Sequence, residues 1–257
     1  MLKSNNIIKI SAVEYLNTLP FVHGINNSGF LKNYLLELDI PSACAEKMLA
    51  QKADIGLVPI VSLTKLKDYQ IITDYCIGAI SSVGSVLLLS DVPIEKIKCV
   101  MLDYHSQTTN SLIKVILSKY MNISVLWENG NVNYEKRIAG NNAGIVIGDR
   151  AFEMIGKHRY SYDLARLWNQ YTGLPFVFAC WVAIGELPKQ VLDDFCKAID
   201  WGVKHKFEAA KNVNSNINLE NYFNNCISYD FDQDKKDAME LFFKEVRQLN
   251  IVGNSVG

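Results

Sequence analysis

Polar residues and glycines lie next to several apolar runs of this sequence, near positions where the strands of a sheet would begin or end. They bring hydroxyl, amide or carboxyl groups, or are glycines, and the full set is Tyr15, Asn17, Thr18, Ser81, Ser82, Ser85, Ser106, Thr108, Thr109, Gly148, Asp149 and Thr172. In open α/β sheets, ligands bind beyond the carboxyl ends of the strands. Hydroxyls and helix-terminal amides are suited to hydrogen-bonding carboxylates. The set therefore predicts a cleft for a small anionic metabolite, with the loop of residues 15–18 in that cleft.

Each of these positions also has a purely structural explanation. Residues 106–109 are typical of a helix N-cap, and Asp149 could cap the helix that follows it. Ser81 and Ser82 fit a plain turn between strands. Asn17 also fits a turn, because asparagine is common there. From the residues alone, both explanations stay open at every position.

Several kinds of site are absent from the sequence. The G-x-S-x-G pattern at residues 253–257 follows a predicted helix instead of a strand, so it does not indicate the nucleophile elbow of a Ser-His-Asp hydrolase. The sequence contains no P-loop and no G-x-G-x-x-G, so nucleotide binding is not indicated either. The 4 histidines and 6 cysteines are scattered, whereas a zinc site needs clustered ligands. We therefore expect no metal and no cofactor.

The composition is that of a soluble globular protein, with 257 residues of which 49% are hydrophobic and 21% charged. A net charge of −1 argues against nucleic-acid binding, which needs a basic face. No apolar run is long enough to span a bilayer, and residues 1–13 do not resemble a secretory signal. We therefore expect a cytoplasmic protein with free thiols that binds no membrane.

The order of the predicted elements indicates an α/β protein with two lobes and a largely parallel sheet in each. Strands are predicted at 7–13, 54–58, 71–80, 83–90, 99–103, 124–128, 144–147 and 176–184. Helices are predicted at 42–51 with Ser42 as the N-cap, and at about 109–120, 134–139, 191–211, 219–225 and 232–249. The very apolar strand at 176–184 is long enough to cross between lobes, and the helical end of the chain should pack back on the first lobe. We therefore expect lobe 1 to comprise residues 1–90 and 182–257, and lobe 2 residues 91–181.

Several blocks resemble the chorismate dehydratase family of menaquinone biosynthesis by the futalosine route. They occur in the family's order at residues 11–21 (SAVEYLNTLPF), 53–59 (ADIGLVP), 83–90 (VGSVLLLS), 102–109, 147–149 and 172–181 (TGLPFVFACW). The Tyr-Leu-Asn-Thr and Thr-Gly-Leu-Pro-Phe-Val-Phe-Ala blocks are specific to the family, and the matching region covers residues 7–185. The sequence departs from the family at Glu14, where a small polar residue is common, and at Leu19, where a basic residue is frequent.

The resemblance implies a fold like that of type II periplasmic binding proteins, with a ligand cleft between the lobes. It also implies an enzyme that removes water from chorismate to give 3-[(1-carboxyvinyl)oxy]benzoate. On this basis Asn17 and Ser85 become the expected catalytic residues. The remaining residues of the polar set become the expected substrate-binding residues.

The proton acceptor of such a reaction is not identified by the sequence. A protein carboxylate, Asp149 or Glu14, could take the proton, or a carboxylate of the substrate itself could do so. The matching blocks are dominated by hydroxyl and amide groups, which favours the substrate carboxylate. The protein would then act mainly by positioning the substrate and by excluding water when the lobes close.

Three other functions compete with this one. A non-catalytic binding protein for a small carboxylate metabolite could have the same fold, because a fold does not imply a function. The sister enzyme of the pathway, dihydroxynaphthoate synthase, opens with a different motif that contains Pro and Asp. A structural or interaction module is not indicated, since the chain has no repeats or charge runs. A homodimer is left open, because the sequence does not decide the oligomeric state.

Overall fold

The computed structural model describes residues 7–211 and 213–253, which form a mixed α/β structure. Its strands are β1 Ile8–Val13, β2 Tyr34–Asp39, β3 Ile55–Pro59, β4 Tyr69–Ala79, β5 Val86–Ser90, β6 Cys99–Leu102, β7 Leu126–Asn129, β8 Asn142–Ile147, β9 Tyr160–Asp163, β10 Phe176–Ile184 and β11 Ser228–Asp230. Its α-helices are α1 Leu19–Asn27, α2 Pro41–Leu49, α3 Ile60–Leu63, α4 Gln107–Val115, α5 Asp149–Glu153, α6 Leu164–Thr172, α7 Lys189–Lys204, α8 Lys206–Ala210, α9 Leu219–Asn221 and α10 Gln233–Gly253.

Five shorter helical segments complete the structure. The 3₁₀ segments are Leu16–Thr18, Ile94–Lys96 and Tyr134–Arg137, and the π-helical segments are Ile116–Tyr120 and Tyr222–Cys226. The segment Ile116–Tyr120 continues α4 directly. The predicted helix that reaches residue 120 is therefore present, with a change of helical pitch in its last part.

The chain folds into two compact units, each made of separate stretches of sequence. The first unit contains residues up to Ile77 together with Phe178–Phe231, and the second contains Gly78–Val177 together with the residues from Asp232 onward. Strands β4 and β10 both run across the boundary, since Ile77 lies within β4 and Phe178 within β10.

The first unit is built on a six-stranded sheet with the order β11-β4-β10-β3-β1-β2. Strand β1 pairs in parallel with both β2 and β3, whereas β10 pairs antiparallel with β3. Trp181 of β10 is fully buried and packs edge-on against Phe21 of α1 and Phe195 of α7, at centroid distances of 5.7 and 5.0 Å. These three rings form part of the aromatic core between the sheet and its helices.

The second unit is built on a five-stranded sheet with the order β7-β6-β8-β5-β9. Strand β6 is parallel to β7 and β8, whereas β5 is antiparallel to β8 and β9. Both sheets are therefore mixed, and the expected largely parallel sheets are wrong. The antiparallel members are β5, which pairs with β8 and β9, and β10, which pairs with β3.

The structure also differs from the expected lobe boundaries. Strand β5 pairs with β8 and β9, so residues 78–90 belong to the second unit instead of the first. Helix α10 also belongs to the second unit, because Phe242 packs against Trp168 and Phe176 at 5.9 and 5.1 Å. Both units are consequently discontinuous in sequence, whereas only the first lobe was expected to be.

Two local predictions can be compared directly with the structure. The strand predicted at 176–184 is present with the same bounds, as Phe176–Ile184. The prediction of Ser42 as a helix N-cap is wrong, because α2 begins at Pro41 and Ile40 takes the N-cap position. Proline is favoured in the first turn of a helix, where its missing N–H has no intrahelical partner to lose.

Candidate functional site

The loop that follows β1 turns tightly into α1. Strand β1 ends at Val13, the 3₁₀ turn Leu16–Thr18 follows, and α1 starts at Leu19 with a proline in its first turn. The backbone N–H of Thr18 donates to the carbonyl of Tyr15 at 2.9 Å and closes the turn. Tyr15, Asn17 and Thr18 therefore lie together at the carboxyl end of β1, as the sequence analysis expected.

Asn17 is held in this loop mainly through its backbone. The hydroxyl of Tyr229 donates to the Asn17 carbonyl at 2.9 Å, and Tyr229 is itself buried against Phe21. The hydroxyl of Thr18 donates to the side-chain oxygen of Asn17 at 3.1 Å. Within residues 7–211 and 213–253, the carboxamide nitrogen of Asn17 has no hydrogen-bond partner. The loop thus fixes the backbone and leaves one side-chain donor available to a ligand.

Thr18 has a different environment from its neighbours. It is fully buried, whereas Tyr15 and Asn17 are partly exposed. Its hydroxyl is used by Asn17, so its contribution is to orient the carboxamide. Tyr229 also holds Asn17 in place, through the Asn17 backbone carbonyl. The sequence did not reveal Tyr229, because this residue lies 212 positions from Asn17.

Three polar segments of the second unit meet at one edge of its sheet. Strands β6 and β8 run parallel, so their carboxyl ends, at Asp103 and Gly148, lie at the same edge. Strand β5 runs in the opposite direction, so its start lies there as well, and Gly148 N–H donates to the Ser85 carbonyl at 2.9 Å. We call this the second-unit edge; it contains Ser85, residues 106–109 and residues 148–149.

Helix α4 begins at the second-unit edge with a well-formed N-cap. Ser106 is the N-cap, and its hydroxyl oxygen accepts from the backbone N–H of Thr109 at 3.2 Å. The hydroxyls of Ser106 and Thr109 lie 3.1 Å apart. Thr108 and Thr109 are both buried, with 1% exposure. These side chains shape the start of the helix, whose positive end favours an anion.

The loop between β4 and β5 is anchored by an aspartate that the sequence did not indicate. The side-chain Oδ2 of Asp163 accepts from the Ser82 hydroxyl at 2.8 Å and from the backbone N–H groups of Val83 and Gly84 at 2.9 and 2.6 Å. Its Oδ1 caps α6 by accepting from Arg166 N–H at 3.0 Å. The Ser82 hydroxyl therefore helps Asp163 to hold the loop, whereas Ser81 is exposed. Asp163 fixes the segment that leads into Ser85.

A buried charge network lies directly beneath the second-unit edge. Asp103 is 1% exposed, and its carboxylate accepts from Arg150 Nη2 at 2.5 Å, from the Tyr134 hydroxyl at 2.9 Å and from His105 N–H at 2.7 Å. Arg150 also donates to Glu135. Burial, followed by the charge of Asp103, raises the pKa of Tyr134 far above its ordinary value. Tyr134 thus remains a neutral donor to Asp103.

His105 and Tyr104 complete this network. The Arg150 guanidinium carbon lies 5.3 Å from the centre of the Tyr104 ring, and the Tyr104 and His105 rings are 4.3 Å apart. Burial and the nearby Arg150 charge lower the pKa of His105 below its ordinary value. His105 is therefore neutral near pH 7. These residues could not be recognised as a group from the sequence, because Arg150 and His105 do not belong to a motif of basic residues.

The remaining candidates are Thr172, Asp149 and Glu14. Thr172 is the last residue of α6, and its hydroxyl donates to the Trp168 carbonyl at 2.8 Å and accepts from Leu174 N–H at 3.1 Å. Asp163 is the N-cap of α6, so the nine helical residues Leu164–Thr172, about 14 Å of helix, separate Thr172 from the residue that anchors the loop before Ser85. Asp149 is the first residue of α5 at that edge, and Glu14 is exposed after β1.

Two further findings concern the residues that the structure describes. Within them, no group of three or more His, Cys, Asp or Glu side chains is arranged to hold a metal ion. None of their helices combines the length and the apolar character needed to cross a membrane. All six cysteines are free thiols, and burial raises the pKa of Cys44 to about 12.

Similarity to solved structures supports the fold. A protein from Archaeoglobus fulgidus superimposes with a TM-score of 0.74 at 10% identity, covering 96% of this chain and 99% of that one. A Candida albicans gene product, described as exhibiting the generic periplasmic binding protein structural fold, superimposes with a TM-score of 0.63 at 10% identity, covering 94% and 93%. The chain therefore has a periplasmic-binding-protein-like fold, as the sequence analysis expected.

Similarity in sequence identifies the family. A relative from Campylobacter jejuni named chorismate dehydratase is 24% identical over 249 residues, which is 93% of this chain and 97% of the relative. A family model described as menaquinone biosynthesis matches residues 8–248. This match includes the loop of residues 15–18 and the second-unit edge, and it confirms the resemblance found in the sequence. The chain belongs to the menaquinone biosynthesis family.

Proposed function

We propose that this protein is a chorismate dehydratase, a hydro-lyase that converts chorismate into 3-[(1-carboxyvinyl)oxy]benzoate. The observation that carries the proposal is the family match over residues 8–248, together with a chorismate dehydratase relative that aligns over nearly its whole length. The geometry agrees with it, because the candidate groups are hydroxyls, amides and a helix N-terminus, which suit a dicarboxylate. A cytoplasmic location belongs to the same proposal.

The reaction breaks two bonds on adjacent ring carbons. One carbon loses its hydroxyl, and the neighbouring carbon, which bears the enolpyruvyl ether, loses its hydrogen. The hydroxyl and the proton leave together as water, and the ring becomes aromatic. Because aromatisation supplies the driving force, the protein has to orient the substrate, assist the leaving hydroxyl and provide a path for one proton.

Asn17 is the proposed donor to the departing hydroxyl. Its carboxamide oxygen is occupied by Thr18, and its backbone carbonyl is occupied by Tyr229. Only its N–H groups are therefore directed to a ligand, and an N–H donor stabilises the negative charge that develops on a leaving oxygen. Tyr15, at the start of the same turn, is the proposed neighbour that packs against the substrate ring.

The second-unit edge is the proposed binding site for a substrate carboxylate. The positive end of α4 and the hydroxyls of Ser106, Thr108 and Thr109 lie there, next to Ser85 and Gly148. Arg150 beneath it already pairs with Asp103 and Glu135. The carboxylate would thus be held by hydrogen bonds and the helix dipole instead of by a direct ion pair.

A carboxylate of chorismate itself is the proposed proton acceptor. Asp103 is not proposed for this role, because its carboxylate already accepts from Arg150, from the Tyr134 hydroxyl and from His105 N–H. Asp149 and Glu14 remain as the protein carboxylates that compete with this assignment. The variants Asp149→Asn and Glu14→Gln separate a protein carboxylate from a substrate carboxylate as the proton acceptor. If the substrate carboxylate accepts the proton, the reaction rate is unchanged in both variants.

The test is an assay of the purified protein with chorismate. We expect the diene absorbance to disappear as a product lighter by one water accumulates. Asn17→Ala and Asn17→Asp should lower kcat about 100-fold, the loss typical of a single oxyanion donor. The matched control is Asn225→Ala, because Asn225 is an exposed asparagine of the same unit that bonds only Asn221. Tight binding of chorismate without loss of water would instead indicate a solute-binding protein.

A further inference from the structure

Strand β2 is the longest exposed sheet edge in the part of the chain that the structure describes. It has six residues, whereas the other edge strands, β7, β9 and β11, have four, four and three. Its inner side pairs with β1 over its whole length. The strand order ends at β2, so its outer side faces no other strand among the described residues.

This edge lacks most of the features that normally keep edge strands from pairing. Natural edges carry lysines or other charged side chains, prolines or bulges, or are very short. The strand Tyr34–Asp39 contains no lysine, proline or glycine, and its register with β1 is unbroken. It is also apolar, since Leu35 and Leu38 are 47% and 44% exposed.

The acidic residues of β2 do not oppose pairing with another strand. Glu37 and Asp39 both accept from Lys47 of α2, at 2.6 Å for each. Burial opposes the charge on Lys47, but these two bonds outweigh it and raise the pKa of Lys47. The two carboxylates therefore share the Lys47 ammonium on the α2 side of the sheet. In a second copy of the chain, Lys47 would neutralise the same two carboxylates.

The backbone geometry identifies which groups of β2 point outward. The carbonyls of Asn33 and Asp39 accept from the N–H groups of Ile8 and Glu14 in and beside β1, at 3.0 and 2.9 Å. In a parallel pair, the N–H and C=O of alternate residues point to the same side. Odd-numbered residues therefore bond β1, and Tyr34, Leu36 and Leu38 present their N–H and C=O groups outward.

These outward groups are complementary to a second copy of the same strand. In an antiparallel arrangement with Leu36 on a two-fold axis, Leu36 faces Leu36, and Tyr34 faces Leu38. In each of these pairs, the N–H of each residue donates to the backbone carbonyl of the other. Their side chains lie on one face of the sheet, the face on which the Tyr34 hydroxyl donates to Asn26 of α1. The residues of these hydrogen-bonded pairs are all leucine or tyrosine, and on the opposite face of the sheet Leu35 faces Glu37 of the second copy.

We propose that the protein forms a two-fold symmetric homodimer in which β2 strands of two copies pair antiparallel about Leu36. The pairing joins the two first-unit sheets into one continuous sheet. Exposed Phe30 and Ile40, which flank β2 in the sequence, extend the apolar surface on either side of the strand. The proposal does not depend on the proposed reaction, because none of these residues belongs to the candidate site.

The test is the mass of the purified wild-type protein in solution, measured by sedimentation over a range of concentrations. We expect a particle of twice the chain mass of 29.0 kDa. Leu36→Lys should weaken the dimer at least 100-fold, because it places two ammonium groups opposite each other at the axis. Leu38→Lys, at an exposed position, should weaken it at least tenfold. The matched control, Leu126→Lys on the exposed edge strand β7, should leave the dimer unchanged.

Several results would overturn the proposal. A wild-type protein that stays monomeric at its highest soluble concentration excludes the dimer. A dimer that persists in Leu38→Lys and in folded Leu36→Lys places the contact elsewhere on the molecule. If Leu36→Lys does not fold, Leu38→Lys decides the question, since Leu38 is too exposed to be required by the fold. Equal weakening by Leu126→Lys would indicate non-specific association through exposed leucines.

Discussion

Arg150 Nη2 lies 2.5 Å from Oδ2 of Asp103, and the side chain of this carboxylate is fully buried at the end of β6. The two residues are 47 positions apart in the chain. Their pairing joins the end of β6 to the start of α5 and so fixes the second-unit edge from beneath. Around it, His105 N–H and the Tyr134 hydroxyl complete the coordination of the aspartate.

Removing this arginine should destabilise the fold. Arg150→Gln leaves Asp103 buried without its cation, and breaking a buried ion pair in this way costs about 3 kcal/mol of unfolding free energy. The measurement is chemical denaturation followed by fluorescence. Arg137→Gln is the matched control, because Arg137 and Glu128 form an exposed pair that should contribute less than about 1 kcal/mol. Equal losses in both variants would show that Asp103 does not depend on Arg150.

The lowered pKa of His105 makes a prediction about pH. An unfolded histidine titrates near pH 6.5, whereas burial and Arg150 lower the pKa of His105 in the folded protein. Between the two pKa values the unfolded chain binds more protons, so stability rises with pH in that window. The contribution of His105 is therefore complete above about pH 6.5 and is lost as the pH falls through its folded pKa.

The measurement compares the wild-type protein with His105→Asn between pH 7 and pH 5, a range chosen around the ordinary histidine pKa of about 6.5. We expect the wild-type protein to lose more unfolding free energy over this range than the variant does. Arg150→Gln should raise the pKa of His105, observed as a shift of its ring proton titration in NMR spectra. A His105 pKa at or above the ordinary value in the wild-type protein would contradict this description.

The anchoring of the loop before Ser85 can be tested at Asp163. Asparagine is as good an N-cap as aspartate, so Asp163→Asn keeps the cap of α6. It replaces Oδ2 by a donor that cannot accept from Ser82, Val83 and Gly84. We expect kcat for chorismate to fall at least tenfold as Ser85 is displaced. Ser82→Ala, which removes one donor and keeps both backbone bonds, should change kcat less than threefold.

These two variants together decide whether the loop geometry matters for the reaction. A normal kcat in Asp163→Asn would remove Ser85 from the catalytic residues, provided that the variant is folded. A large effect of Ser82→Ala alone would instead indicate that the Ser82 hydroxyl contacts the substrate directly.

Thr172 gives a prediction that separates a structural role from substrate binding. Its hydroxyl bonds the Trp168 carbonyl and Leu174 N–H within one turn. Thr172→Val should therefore lower the unfolding free energy by about 1 kcal/mol and leave KM for chorismate unchanged. A KM raised tenfold with unchanged stability would return Thr172 to the substrate-binding residues.

The parts of the fold that could be predicted from sequence are those dominated by local apolar patterns. Strand β10 is an uninterrupted apolar run, and its bounds were predicted without error. Strand β2 was not predicted, because it lies at an edge and half of its residues are exposed. The mixed sheets could not be predicted either, since strand direction depends on pairings such as β5 with β8, which lie far apart in sequence.

The residues of the candidate site likewise fall into those that local sequence patterns reveal and those that they do not. Asn17 and residues 106–109 follow strands, and Ser85 directly precedes one, and strand boundaries can be recognised in a sequence. Arg150 and Asp163 could not be recognised, because their partners are 47 and about 80 positions away and no local pattern links them. Tyr229, which holds the Asn17 loop, lies 212 positions away for the same reason.

The most direct test of the proposed reaction uses chorismate that carries deuterium only on the ring carbon bearing the ether. Dehydration removes the hydrogen from that carbon together with the neighbouring hydroxyl. The product mass should therefore be identical for labelled and unlabelled substrate, and lower than unlabelled chorismate by one water. A product that retains the deuterium, or chorismate recovered unchanged from a protein that binds it, would contradict the assignment of this protein as a chorismate dehydratase.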